Sequence, residues 1–426
     1  MPPRQRRERP CGRARVRATV HRLGRSAGRL GTALAVAAGG LLLSPAPAAQ
    51  AAAGLERVAD FGADPGNLDM YVYRPASPAP DPAVVVALHG CTQSARVYAD
   101  NAGLTAFADR HGFLLVFAGT TSANNVSSCF NWFQATDNRR GQGEAASIRQ
   151  MVAHAETAYG ADPARTFVTG LSAGGAMTSV MLAAYPDVFE AGAVIAGLPY
   201  DCTRDTGPFV CMNPGTDRTP EVWAQRVRDA YPSYAGPWPR VAVWHGDADG
   251  TVAPVNAREL RDQWTAVHGL GQTPDRTSVI GPSGTRREQY LDGSGNVAVE
   301  VDRVPSIGHG TPVDPGSGPQ QCGRTGTAHF IDSICSSLWV SGFFGLTGDV
   351  DDPGPGPDPD PGDPEAPVCW TDSNYAHVRA GRATTAGGYT YAKGSGQYMG
   401  LYNTFVTHTL KESPAGHYVV ADGSCP

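Results

Sequence analysis

Lysine is nearly missing from this chain of 426 residues: Lys393 and Lys411 are the only two. Arginine carries the positive charge instead, and ten arginines crowd into the first thirty residues against a single Glu8. Setting that segment aside takes the formal charge from −6 to −15, because ten Arg and one Glu leave with it. An acidic remainder with no basic stripe excludes nucleic acid as a partner, since binding phosphates requires clustered Lys and Arg. Long apolar runs are absent too. The longest, "LGTALAVAAGGLLL", falls short of the roughly 20 apolar residues that span a bilayer. No Cys or His grouping has the spacing of a zinc site, so neither a metal nor another cofactor is expected.

What is present at the N-terminus has its own logic. A basic stretch, a short apolar run and the small residues of "SPAPAAQAAAG" read as a secretory signal over residues 1–53, with cleavage near Ala48 to Ala53. Export predicts a secreted, extracellular protein without stable membrane association once the signal is removed. Cys11 departs with the signal and leaves Cys91, Cys129, Cys202, Cys211, Cys322, Cys335, Cys369 and Cys425. An even number in an exported chain points to disulfides, and clustering favours the pairs 91–129, 202–211, 322–335 and 369–425.

The segment "GDVDDPGPGPDPDPGDPEAP", residues 348–367, alternates proline with acid and reads as a semi-rigid linker. It separates residues 54–347, long enough to bury a full core, from residues 368–426, which need a staple such as Cys369–Cys425. Closing a loop of that length is worth about 4 kcal/mol in the chain-entropy estimate. In the larger part, "AVVVALHG" (83–90), "FLLVFAG" (113–119), "TFVTGLS" (166–172), "AGAVIAG" (191–197) and "RVAVWHG" (240–246) are short β-branched runs ending in glycine or polar residues. Buried parallel strands read this way. "LTAFADRHG" and "EAASIRQMVAHAETAYG" carry helical spacing and end in glycine. The alternation predicts an α/β fold, a three-layer sandwich with its site at the carboxyl ends of the strands.

Gly170-Leu171-Ser172-Ala173-Gly174 is a nucleophile-elbow pattern between a strand and a small-residue helix. Ser172 is the candidate nucleophile. The backbone N–H groups of Ala173 and of Cys91, in "LHGCTQS", are the candidate oxyanion donors, with His89 a hydrogen-bonding residue beneath that loop. His309, in "VPSIGHGTP" after the alternating "NVAVEVDRV", is the candidate general base; His111, His154 and His268 fit surface or core roles. Between serine and histidine lies "HGDADGTV", which matches His-Gly-x-x-Asp-x-x-Val with His245, Gly246, Asp249 and Val252. That spacing selects Asp249 to orient His309 and leaves Asp247 to cap the turn through backbone N–H groups. The order Ser, Asp, His is that of α/β-hydrolases.

Together, "LHGCTQSA", "FNWF", "RGQGEAASIRQMV", "VTGLSAGGAMTSVMLAAYPDVFEAGAVIAGLPY" and "WHGDADGTV" make residues 55 to 345 resemble the extracellular short-chain polyhydroxyalkanoate depolymerases and their esterase relatives. "CWTDSNYAHVRAGRA" and "GQYMGLYNTF" resemble the substrate-binding domain that follows a linker in those depolymerases. The resemblance implies an α/β-hydrolase with Ser172, Asp249 and His309 as its triad, the Cys91 loop as oxyanion hole, and a small disulfide-stapled C-terminal domain that binds polymer. It implies hydrolysis of poly(3-hydroxybutyrate) or a similar polyester, with an insoluble polyester surface or small esters as partners. The histidine loop departs from many relatives in carrying Gly310 directly after His309. Trp132, three residues from Cys129, either floors an acyl subsite or packs in the core. Of the eight aromatics after the linker (Trp370, Tyr375, Tyr389, Tyr391, Tyr398, Tyr402, Phe405 and Tyr418), more than half are expected in that domain's own core. Two alternatives remain: a feruloyl or acetylxylan esterase, and a surface-adhesion protein with an inert hydrolase domain.

Overall fold

The computed structural model describes residues 54–348, 369–403, 406–412 and 416–422, and every structural statement below concerns these residues. The signal segment, the linker, Phe405, Cys425 and the Cys369 side chain lie outside the described part, and with them the 369–425 pairing.

A ten-stranded sheet organises residues 54–348, in the order β1-β2-β4-β3-β5-β6-β7-β10-β9-β8. The strands are β1 (Gly54–Val58), β2 (Asp69–Arg74), β3 (Val84–Leu88), β4 (Leu114–Gly119), β5 (Thr166–Leu171), β6 (Ala191–Ile195), β7 (Arg240–Gly246), β8 (Arg276–Ile280), β9 (Thr285–Leu291) and β10 (Val297–Val304). The six strands from β4 to β10 in that order pair in parallel, and all five apolar runs singled out in the sequence are among them. Antiparallel pairs close both edges: β1 with β2 on one side, β8 with β9 on the other. A short parallel pair, β11 (Thr311–Val313) with β12 (Phe330–Asp332), follows the sheet.

The central strands are apolar on both faces because helices cover both. Along β3, Val84, Val86 and Leu88 enter one core cluster while Val85 and Ala87 enter the other. β7 repeats the division, with Val241 and Val243 on one side and Ala242 and Trp244 on the other. A period of two with no polar face is what a sheet between two helical layers demands. The helices are α1 (Ala95–Asn101), α2 (Leu104–His111), α3 (Gly143–Tyr159), α4 (Ala173–Ala184), α5 (Pro208–Met212), α6 (Pro220–Ala230), α7 (Val255–Val267) and α8 (Ser336–Phe343). The first cluster holds residues of α3, α4, α6 and α7, and the second those of α1, α2 and α8. This is the three-layer α/β-hydrolase sandwich. Its disulfides join Cys91 to Cys129, Cys202 to Cys211 and Cys322 to Cys335.

Beyond the linker, two three-stranded sheets accompany a short helix, α9 (Asn374–Arg379). One sheet is β13 (Cys369–Ser373), β17 (Thr407–Glu412) and β18 (Tyr418–Val420); the other is β14 (Ala383–Ala386), β15 (Tyr389–Ala392) and β16 (Tyr398–Leu401). Here the expectation about aromatics fails. The core is Ala383, Ala392, Met399 and Leu410, with Val378, Tyr418 and Val420 packed partly against it. Tyr375, Tyr389, Tyr398 and Tyr402 are exposed, and Trp370, Tyr391 and Tyr418 are half-buried. Sheets of three- to six-residue strands enclose too little volume for rings, so small and aliphatic side chains fill the inside and tyrosines are turned out.

Candidate active site

Parallel strands end together, so the loops after β3, β5, β7 and β10 gather at one edge of the sheet. Ser172 follows β5 with φ 57° and ψ −116°, a left-handed conformation that costs a non-glycine residue about 1–3 kcal/mol. The chain tolerates it because the residues two positions away on either side, Gly170 and Gly174, are glycines. A β-carbon on Gly170 would lie 2.6 Å from the Gly174 backbone, and one on Gly174 would collide with the Leu88 carbonyl of β3. The Ser172 N–H is tied to the Ile195 carbonyl at 2.9 Å, and its own carbonyl accepts from Ala176 N–H at 2.8 Å. The serine therefore sits on a fixed turn at the N-terminus of α4, where unpaired N–H groups favour negative charge.

Beside it lies the loop after β3. His89 is fully buried, and its ring settles its own tautomer: the Thr120 N–H donates to Nε2 at 3.1 Å, so Nδ1 carries the proton and donates to the Gly90 carbonyl at 2.8 Å. Burial pushes the His89 imidazole down to about 4, so it stays neutral at ordinary pH. Because carbonyl and N–H of a trans peptide point opposite ways, fastening the Gly90 carbonyl aims the Cys91 N–H away from His89. Among the described residues neither the Cys91 nor the Ala173 N–H has an intramolecular acceptor. The Cys91–Cys129 bridge and the Thr92 N–H donating to the Ser127 carbonyl at 2.7 Å hold the same loop from outside. Trp132 is nearly buried, in one apolar cluster with Ala173, Leu198 and Tyr200, and its carbonyl accepts from the Asn138 side chain at 2.8 Å.

The two aspartates after β7 part company. Asp249 is buried: its Oδ1 accepts the N–H groups of Thr251 and Val252 at 2.8 and 2.9 Å, and its Oδ2 accepts from His309 Nδ1 at 2.7 Å. Burial works against its charge, yet the His309 hydrogen bond and charge and the two amides outweigh it and hold the carboxyl below the usual range. The loops themselves are joined, the Ala248 N–H donating to the Ile307 carbonyl at 3.0 Å. Asp247 does something other than cap the turn. Its carboxylate pairs with Arg286 at 2.9 Å on the surface, while the turn's N–H groups go to Asp249. An exposed acid finds the nearest cation of β9 before it finds amides that a buried acid already occupies.

His309 is largely enclosed, with its Nδ1 committed to Asp249, which leaves Nε2 free to accept a proton. Among the described residues no hydrogen bond joins Ser172 to His309; such bonds are commonly long in unliganded enzymes and tighten with substrate. Two residues that the sequence did not flag complete the surroundings. Gln93 accepts from the Gly90 N–H at 2.9 Å and donates to the Ala328 carbonyl at 3.2 Å, tying the Cys91 loop to the segment behind His309. His329 donates from Nδ1 to the His309 carbonyl at 3.1 Å. Gly310 explains its own smallness: a β-carbon there would lie 2.8 Å from the His329 carbonyl, which the Thr311 N–H needs at 2.8 Å. No motif marks Gln93 or His329, because each acts by joining a loop to a segment outside its own.

A buried Asp–His pair, a strained serine and two open amides thus lie on one sheet edge, and known proteins supply the lineage. Residues 68–289 match the family model described as esterase PHB depolymerase. The chain belongs to this family. As a member it is a carboxylic ester hydrolase. It is 46% identical over 296 residues to poly(3-hydroxyalkanoate) depolymerase C of Paucimonas lemoignei, covering 69% of this chain and 70% of that protein. It is also 38% identical to an acetylxylan esterase of Coprinopsis cinerea, over 62% of this chain and 72% of that one. Among solved structures, the acetyl xylan esterase from Aspergillus awamori aligns with a TM-score of 0.58 at 28% identity, over 69% of this chain and all of its own.

Proposed function

We propose that the protein is a secreted serine esterase that hydrolyses poly(3-hydroxybutyrate) or a similar short-chain polyester through an acyl-enzyme. The 2.7 Å Asp249–His309 bond on the sheet edge that carries Ser172 is the observation on which the chemistry rests. Ser172 Oγ attacks the ester carbonyl while His309 Nε2 takes its proton, and Asp249 stabilises the imidazolium. The Cys91 and Ala173 N–H groups receive the oxyanion, each such donor being worth about 10²–10³ in rate. His309 then protonates the leaving alcohol and activates the water that frees Ser172. Trp132 is the candidate floor of the acyl subsite. Three disulfides support export, since such bonds persist in oxidising surroundings.

Polyester is the favoured substrate because of what lies past the linker. Residues 54–347 act as the catalytic domain, and residues 368–426 as a polymer-binding domain reached through a spacer at 348–367. Tyr389 and Tyr398, with ring centroids 5.7 Å apart, and Tyr375 and Tyr402, 5.6 Å apart, form exposed pairs. Tyrosine offers an apolar face to a water-insoluble chain and a hydroxyl to its ester carbonyls. The relatives supply a second reading, since feruloyl esterase B of Talaromyces stipitatus is 36% identical over 62% of this chain and 74% of its own. Clearing of a poly(3-hydroxybutyrate) suspension, compared with release of ferulate or acetate from xylan, separates the two. Clearing without release is the expected result, and release without clearing overturns it.

A further inference from the structure

His245 precedes Gly246 at the end of β7 and is fully enclosed. Its Nε2 lies 2.9 Å from the Val252 carbonyl, which can only accept, so Nε2 carries the proton. The same Nε2 is 3.5 Å from Asp249 Oδ2, the oxygen that receives His309. One carboxylate oxygen thus stands between two imidazoles. The other ring nitrogen, Nδ1, is buried without a hydrogen-bond partner among the described residues. Leaving a buried polar atom unpaired is destabilising, and an aliphatic side chain would avoid it. The fold tolerates the bare Nδ1 for the sake of Nε2–H.

We propose that His245 is a positioning residue that sets how strongly Asp249 draws a proton onto His309. Its N–H turns the positive end of a fixed dipole toward Asp249 Oδ2 and so moderates the pull of that carboxylate on the His309 imidazolium. Through the Val252 carbonyl it also steadies the turn whose amides hold Oδ1. The charged and titratable groups facing it are Asp249, His309 and Arg303. Burial is the largest influence on it and opposes a charge on the ring; His309 and Arg303 oppose it further, while the Val252 carbonyl and Asp249 favour it. His245 therefore acts as a neutral donor and not as a second base. The inference rests on the serine-esterase reading of Ser172, Asp249 and His309.

The test is the pH profile of p-nitrophenyl butyrate hydrolysis by the full chain, comparing wild type with His245→Gln and His245→Asn. Glutamine carries its amide to about the place of Nε2, whereas asparagine reaches only the place of Nδ1. Without the Nε2 donor the imidazolium is better stabilised, so the acidic limb of kcat/KM in His245→Asn moves up by about one pH unit. Loss of the Val252 tie loosens the turn that holds Asp249, so the plateau kcat falls about tenfold with KM within about twofold. His245→Gln keeps the wild-type limb. An unmoved limb in His245→Asn, or equal shifts in both variants, overturns the proposal. Ser172→Ala is run alongside: hydrolysis that survives this change refutes the nucleophile assignment, a failure distinct from any behaviour of the limb.

Discussion

The two described parts of the chain treat their aromatic side chains in opposite ways. In residues 54–348 the tryptophans Trp223, Trp244 and Trp264 are wholly buried, and the core runs continuously on both faces of a ten-stranded sheet. Among the described residues past 368 the core is four aliphatic or small side chains, and Tyr398 is 59% exposed alongside exposed Tyr375, Tyr389, Leu401 and Tyr402. A large domain can afford rings inside and spends its surface on polar groups. A small one cannot enclose them, and what it cannot enclose becomes its contact surface. The difference supports the proposal that chemistry belongs to one part and adhesion to the other.

Each prediction presses on that division. The largest effect belongs to the catalytic part alone: Asp249→Asn lowers kcat on a soluble ester by about 10³–10⁴-fold, as loss of the histidine's orienting acid does in other triads. Asp247→Asn, which removes only the surface pair with Arg286, leaves kcat within about twofold. Comparable losses from the two would erase the distinction between them. Next comes a chain ending at residue 347, which retains soluble-ester turnover while erosion of a polyester film falls about 10²-fold through lost tethering. Equal losses on both substrates would contradict the separation of roles.

A smaller effect comes from Tyr398→Ser with Tyr402→Ser. Loss of two exposed rings weakens adsorption to film by about tenfold, with no change in soluble-ester kinetics. The smallest concerns stability. His89 is held neutral with its folded value at about 4 against an ordinary 6.5, so the unfolded chain binds its proton first as pH falls. Its stabilising contribution is complete above pH 6.5 and drains away toward pH 4, by roughly 3 kcal/mol in total. Urea titrations at pH 7 and pH 4.5 show a smaller difference in His89→Gln than in wild type.

Sequence pattern reached the parallel strands, the elbow and the spacing that selects Asp249 because each is written locally. Apolar runs of five to seven residues and glycines around Ser172 are short-range facts. The antiparallel edges β1–β2 and β8–β9 went unread: "RTSVI" is exposed along most of its length, so no apolar pattern announces it as a strand. Asp247 was assigned to the turn for want of Arg286, a partner 39 residues away. Gln93 reaches a partner 235 residues away and His329 one 20 residues away, and nothing in their neighbours' identities signals either contact. The tyrosines misled for a different reason. Aromaticity predicts burial only where there is volume to bury into.

Central to the account is Ser172 as the activated nucleophile. The direct measurement is covalent labelling of the intact protein with a serine-directed fluorophosphonate, followed by peptide mapping. Label on Ser172 alone, with labelling slowed by Asp249→Asn or His309→Ala, is the predicted result. Label on another residue, or none on a chain that keeps its native fold, would contradict it.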